Sequence, residues 1–354
     1  MSIKLKDIIY AKRGSTITSN EFKINPGSYP LISASAQNNG VFGYINSYMY
    51  EGGHITISMN GNAGCVFYQK DKFSANSDVL VLSNIDNKIS NNKFIFYWLK
   101  KHENTKIKSL CKGTTRLRLS NDDVLNLEIN LPPIEEQNAI ISIIEPIEKS
   151  IKTINLLQTK IGLFIEKTFN FINDNLVNSD LIEFSLKDLL NIKRGLPITA
   201  KDLLNNPGSY PLISASSKNN GIFGYFNDYM YDGKNITISM NGNAGCIFYQ
   251  IGKFSANSDV LVLSNSNKNL TNIDYIYYLL KTKEKEIQNL AIGTTRFRLG
   301  NSVIEKFKVL LPNIEIQEKF SKIVEPLLNL STKANKIEKN LNECLLKIVK
   351  KLIV

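Results

Sequence analysis

The stretch SMNGNAGCVFYQKDKFSANSDVLVLSN, from Ser58 to Asn84, returns almost unchanged as SMNGNAGCIFYQIGKFSANSDVLVLSN from Ser239 to Asn265. A duplication of this length constrains the fold more than any other feature, because whatever one copy folds into the other must fold into as well. The match extends along the chain. KRGSTIT at Lys12 answers KRGLPIT at Lys193, PGSYPLISAS at Pro26 recurs at Pro207, and NNGVFGY at Asn38 becomes NNGIFGY at Asn219. GTTRLRL at Gly113 becomes GTTRFRL at Gly293, and LPPIEEQ at Leu131 is answered by LPNIEIQ at Leu311. Aligned position by position, Pro26–Asn84 and Pro207–Asn265 share 48 of 59 residues. Solenoid and propeller units run to about 20 to 50 residues, so a period this long means two similar domains.

At 354 residues each domain has room for a core of its own, and a chain with 43% hydrophobic and 21% charged residues has the balance of a folded protein. No apolar run approaches the roughly 20 residues that span a bilayer, and the start, MSIKLKDIIYAKRG, lacks the apolar core of a signal peptide. The expectation is a cytoplasmic protein with no membrane partner. Cys65, Cys111, Cys246 and Cys344 show no CxxC spacing and read as reduced, buried thiols.

Inside each copy, ITISMNG, GCVFYQ and DVLVLSN are short, β-branched or aromatic, and bounded by Gly, Asn and Ser, the pattern of strands and turns. NKFIFYWLKKHENTKIKSL and NIDYIYYLLKTKEKEIQNL have helical spacing. Each globular part is therefore α+β with a strand-rich body. After it, Ile140, Ile144, Ile147, Ile151, Ile154, Ile161 and Ile165 follow three-, four- and seven-residue steps, a coiled-coil seam. The second copy keeps it less regularly through Phe320, Val324, Leu327, Ile337, Leu341, Leu345 and Ile348. Pro146 and Pro326 predict a short helix ending near Ile144 and a long one with proline at its first position. The expected boundaries are a first domain over 1–133, a helical spacer over 134–178, a second domain over 179–313 and a C-terminal spacer over 314–354.

The formal net charge of +11 points to an anionic partner, with nucleic acid the first suspect. If GTTRLRL is extended, Arg116 and Arg118 share one face and Leu117 and Leu119 the other, with Thr114 and Thr115 beside them. The second copy repeats this with Thr294, Thr295, Arg296 and Arg298 opposite Phe297 and Leu299. Arginine and threonine at these positions suit phosphates and base edges. Lys12 and Arg13, with Lys193 and Arg194, form a second basic turn in which Gly14 or Gly195 would let a phosphate approach the backbone. The asparagines Asn38, Asn39, Asn60 and Asn62, and their copies Asn219, Asn220, Asn241 and Asn243, can read base edges but are also ordinary turn formers.

Catalytic chemistry finds no support. His54 has Asn235 as its counterpart and His102 has no counterpart, so a site used in both copies cannot depend on histidine. Neither a metal-ligand spacing nor a GxGxxG, GxxxxGK[ST] or GxSxG motif is present. Asp78 and Asp259 are the repeated carboxylate of the duplicated stretch, and the expected role is a turn or cap bond before the strand VLVL.

Two variable globular units, each followed by LPPIEEQ or LPNIEIQ and a long helix, resemble the specificity (S) subunit of a Type I restriction-modification system. The block GNAGCVFYQKDKFSANSDVLVL resembles the family's pattern too, and the likeness covers nearly the whole chain. The resemblance implies two target recognition domains, each reading half of a split DNA sequence. It also implies two helices paired antiparallel, in a pseudo-two-fold arrangement, as a ruler and as the docking site for methyltransferase subunits. It further implies a noncatalytic subunit that binds no cofactor, with double-stranded DNA and two methyltransferase (M) subunits as partners. The M partner would use S-adenosylmethionine, and restriction (R) subunits would join through the complex. LPNIEIQ departs from the signature by one proline and one glutamate, which puts the start of its helix in doubt. The near-identity of the copies predicts similar half-sites in opposite orientation, a near-palindromic target. The differing pairs, Gln37/Lys218, Ser47/Asp228, His54/Asn235, Lys70/Ile251 and Asp71/Gly252, mark where reading would diverge. One alternative is the specificity subunit of a Type IIB-like enzyme; another, of a different class, is a coiled-coil interaction adaptor with incidental charge.

Overall fold

The structure, a computed structural model, describes residues 2–177 and 180–353. The chain divides into two compact units, one of Met1–Asn155 with Asn335–Val354 and one of Leu156–Ala334. The division therefore cuts each long helix in two instead of setting the helices apart as spacers.

In the first unit a four-stranded antiparallel sheet has the order Ile9–Arg13, Val79–Asn84, His54–Ser58, Val66–Gln69. A three-stranded sheet sets Pro26–Ile32 antiparallel to Val41–Ile45 and parallel to Ser74–Ala75. The strand Val79–Asn84 lies inside the first sheet, and its apolar run reflects burial on both faces. Leu80 and Leu82 join Ile55, Ile57, Phe94, Ile95, Trp98 and Leu99 in the main core, under the helix Asn92–Lys101. Val79 and Val81 meet Ile32, Phe73 and Ala75 in a smaller core. The second unit repeats this plan, with sheet order Leu190–Arg194, Val260–Asn265, Lys234–Ser239, Ile247–Ile251 and the helix Ile273–Thr282. Its small core of Ile213, Phe254, Ala256, Val260 and Val262 matches the first.

The central helix, Ile134–Asp174, and the C-terminal helix, Ile314–Leu352, are each continuous, with Pro146 and Pro326 inside. This corrects the expected break before each proline. Both prolines are exposed, and so are Ser142 and Lys322, four residues earlier. The carbonyls that lose an N–H partner therefore face water, while Ile144 and Val324 stay buried beside them and hold the axis. In the first unit Ile140, Ile141 and Ile144 share the main core with Ile353, and Leu345, Ile348, Val349 and Leu352 pack against it. In the second, Ile161, Ile165 and Phe169 share a core with Phe320 and Val324. The expected seam fails at Ile337, which is 51% exposed. Ala334 is buried instead, because a position every three or four residues from Leu327 falls on Ser331, Ala334, Glu338 and Leu341. Cys344 is also exposed, on the outer face of this helix, and Cys111 and Cys246 are half-buried, so the buried-thiol expectation holds at Cys65 alone.

Gln137 ends LPPIEEQ and is wholly buried. Its Oε1 accepts the Asn91 N–H at 2.8 Å, and its Nε2 donates to the carbonyls of Ile89 at 3.0 Å and Pro132 at 2.8 Å. Asn91 in turn caps the helix Asn92–Lys101. Gln317 repeats this with the Asn272 N–H at 2.9 Å and the carbonyls of Leu270 and Pro312 at 3.2 and 2.9 Å. The helix start of LPNIEIQ is therefore as well tied as that of LPPIEEQ, and Asn313 adds a cap by accepting the Ile316 N–H at 3.1 Å. Gln137→Ala would leave three backbone groups without their side-chain partner and should lower unfolding free energy by roughly 2 kcal/mol in urea titrations. Gln137→Glu keeps the acceptor but turns a carboxylate on two carbonyls. Its folded pKa should be raised, so its deficit against the native chain should grow as pH rises through about 4.3.

Candidate nucleic-acid interface

In the first unit Lys112 and Arg118 exchange backbone hydrogen bonds of 2.8 Å, closing a hairpin whose tip carries Thr114, Thr115, Arg116 and Leu117. Gly113 turns the hairpin at φ +117, where a Cβ would lie 2.5 Å from the Arg116 carbonyl oxygen. Leu117–Arg118 then pairs with Asn60–Gly61, setting Arg118 opposite Asn60, and the Leu119 N–H bonds the Met59 carbonyl at 2.9 Å. Leu119 is buried, but Leu117 is 43% exposed, and Phe297 of the second unit is 49% exposed. The expected division of the hairpin into an arginine face and a buried leucine face therefore holds only at Leu119 and Leu299. The strand has two residues and stands off the body, so both its faces meet solvent at 117 and 297.

Asp78 organises this hairpin. Its backbone N–H is taken by Asn76 Oδ1 at 3.1 Å, which leaves the carboxylate free of capping. The carboxylate instead accepts from Asn60 Nδ2 at 2.5 Å and faces the Arg116 guanidinium at 3.3 Å. The expected turn bond thus belongs to Asn76, whose side-chain oxygen accepts the N–H two residues on. Arg13 stands near: its Nε donates to Asn121 Oδ1 at 2.8 Å, and a terminal nitrogen donates to the Ser77 carbonyl at 3.3 Å. Burial pulls the Arg13 pKa below its ordinary value, and the Asp78 charge opposes that shift.

The second unit builds the same group. Asn241 donates to Asp259 at 2.5 Å, Arg296 lies 3.9 Å from that carboxylate, and Arg298 pairs with Asn241 across the strands. Arg194, Asn241, Asp259, Arg296 and Arg298 line one open depression, and Arg194 Nε donates to the Ser258 carbonyl at 2.5 Å.

The other candidates fall outside this group. Lys12 and Lys193 are exposed on the first sheet strand, away from the carboxylates' contacts. Asn38, Asn39, Asn219 and Asn220 take left-handed turns with φ between 49 and 52. Asn39 Nδ2 bonds the Tyr68 carbonyl and Gln69 Oε1 at 3.2 Å, and Gln69 reaches buried Thr56 at 2.9 Å. Asn220 repeats this with Tyr249 and Gln250. These two amides are committed to the body, because the turn and the Gln69 or Gln250 network claim their donors. Asn62 is exposed and donates to the Ala34 carbonyl at 3.1 Å; Asn243 is exposed. Asp78, Asp259 and Asn121 were not among the expected site residues. A repeated acid between repeated arginines was the available signal.

Gly14 does not leave its backbone open. A Cβ there would sit 2.3 Å from the carbonyl oxygens of Ala75 and Asn76, and Gly195 is as close to Ala256 and Asn257. The glycine serves close packing of the first strand, not approach by a phosphate. Gly14→Ala should therefore lower stability by about 1–3 kcal/mol in denaturant. A variant of native stability that binds DNA less well would instead favour the phosphate role.

The Type I restriction modification DNA specificity domain matches the chain twice, over residues 1–162 and 178–343. The chain belongs to that family. A type I specificity subunit of Mycoplasma pneumoniae, S.MpnORF507P, is 29% identical over 94% of this chain and 90% of its own length. The MpnII specificity subunit of the same organism is 36% identical over 45% of this chain and 51% of its own. The crystal structure of a Type I S subunit from M. genitalium superposes with a TM-score of 0.76 over 99% of this chain and 95% of that one, at 19% identity. The two family matches carry one hairpin-and-carboxylate group each, so this DNA specificity chain holds its candidate interface in duplicate. Among the described residues no helix is long and apolar enough to cross a membrane.

Proposed function

We propose that each unit reads one half of a bipartite DNA target through its hairpin group, and that the two halves are closely similar and inverted. The observation that carries this reading is the repetition of one group without a change of residue: Arg13, Asn60, Asp78, Arg116 and Arg118 in one unit, Arg194, Asn241, Asp259, Arg296 and Arg298 in the other. Arginine forks and an asparagine amide suit guanine and adenine edges, and the neighbouring threonines and lysines suit phosphates. Identical chemistry at both ends favours similar half-sites, as in dimeric readers whose operators mirror their own symmetry.

In this reading the chain is noncatalytic and cytoplasmic, and binds no cofactor. Two methyltransferase subunits using S-adenosylmethionine dock on its helices, and restriction subunits join through the complex. The outer helix faces support a docking role. In the second unit Leu157, Phe164 and Phe171, spaced by sevens, are exposed, as are Ile323 and Leu330 on the other helix. An apolar heptad stripe turned to solvent beside a packed seam suits a partner's helices.

The methylated motif, determined by modification-sensitive sequencing, should be two similar inverted half-sites across an unspecified gap. Two unrelated halves would refute this. Arg118→Ala with Arg298→Ala should weaken DNA binding and, where these side chains neutralise phosphates, flatten its salt dependence by about one unit of log–log slope per arginine. An adaptor with incidental charge would show neither sequence preference nor that change. Leu157→Glu with Phe164→Glu should abolish co-purification of the methyltransferase subunit while leaving the melting temperature and DNA binding unchanged.

A further inference from the structure

We propose that Asp78 and its copy Asp259 are specificity-positioning residues. Each carboxylate fixes the amide of one asparagine and restrains one arginine, so that both are presented to a base edge in a set orientation. The proposal rests on the DNA-reading function above and says which groups do the reading.

An acid among arginines is unfavourable on a surface that only grips phosphates, because the carboxylate repels the backbone it lies against. Nor does the fold need this side chain locally. The turn is held by Asn76 Oδ1 on the Asp78 N–H and by the Met59 N–H on the Asp78 carbonyl at 2.8 Å. The side chain is 33% exposed, as is that of Asp259, so it fills no core. Its two oxygens are divided between two candidate readers: Oδ1 takes Asn60 and Oδ2 faces Arg116. Asp259 divides its oxygens in the same way, between Asn241 and Arg296.

The consequence for Asn60 is chemical. A free asparagine amide presents oxygen or nitrogen almost equally well, which makes it a poor discriminator. A carboxylate only accepts, so the amide nitrogen must face Asp78 and the oxygen must face away. One N–H is spent; an acceptor oxygen and a second N–H remain, the pair that matches adenine N6–H and N7 in the major groove. Arg118 stands directly opposite Asn60 in the strand pair, so its guanidinium shares that face. A fixed amide beside an arginine fork is an element that reads sequence, where a loose amide beside it would only add affinity.

The test uses the full chain and a pool of DNA duplexes with a randomised centre, sequencing the bound fraction. The native chain should enrich a two-part motif. Asp78→Asn keeps the size of the side chain but loses the obligate acceptor. It should reduce enrichment at adenine-containing positions of one half by about tenfold or more, while the other half is retained and binding to the unselected pool is equal or tighter. Asp259→Asn should do the same to the other half, and Asn60→Ala should lose the same positions as Asp78→Asn. Melting temperatures should stay near the native value; a merely structural aspartate would instead lower them and leave the motif intact. If Asp78→Asn and Asn60→Ala both keep the native motif, the positioning role is overturned while the DNA-reading function stands. A native chain that enriches no sequence overturns that function, and this assignment with it.

Discussion

Burial of one strand on both faces is the constraint from which the rest of each unit follows. Leu80 and Leu82 fill the core beneath the helix, and Val79 and Val81 fill the core beneath the three-stranded sheet. A slip of one residue would exchange these two sets between cores of different shape, so the register is fixed from both sides. Asp78 is the residue just before this strand. Its carboxylate is therefore delivered to the hairpin by a backbone that the whole core holds still, and the candidate interface inherits the precision of a packed sheet.

A second, polar constraint ties the long helices to these bodies. Gln137 and Gln317, themselves wholly buried, each bond three backbone groups at the junction of the helix start, the strand that precedes it and the cap of the domain helix. No apolar side chain of that size could replace them without leaving donors and acceptors unpaired. The domain helix is thereby held at a set place relative to the long helix. Ile140, Ile141 and Ile144 add an apolar tie between the long helix and the same core.

The duplication, the strand-rich bodies and the inward seam were legible because each is a repeating pattern with one physical cause. Ile140, Ile144, Ile161 and Ile165 are buried as their spacing implies. Pro146 misled because proline's penalty depends on which face carries it, and sequence alone does not say that Ser142 and Pro146 both look outward. Ile337 misleads because the seam position falls on small Ala334, and the larger apolar side chain lies on the exposed face. In the candidate group, the arginines and Asn60 stand together, as their residue types suggested. The commitment of Asn39 to the body was not legible, since it depends on Gln69, thirty residues on and across a sheet. Asp78 was visible as a repeat but not as a contact, because its partners Asn60 and Arg116 come from opposite directions along the chain.

The two copies also act as an internal control on which contacts matter. Supporting contacts have drifted in geometry: both Arg13 and Arg194 bond the carbonyl of Ser77 or Ser258, Arg13 adds Asn121 Oδ1, and Arg116 is nearer its carboxylate than Arg296. His54, edge-on to the stacked rings of Tyr50 and Phe73, is replaced by Asn235, which bonds the Asp232 carbonyl instead. The bond between asparagine and aspartate has not drifted; it is 2.5 Å in both copies. The amide networks of Gln69 and Gln250 and of Gln137 and Gln317 are kept as strictly, so identity between the copies marks polar groups that fix one another, in the body as at the hairpin.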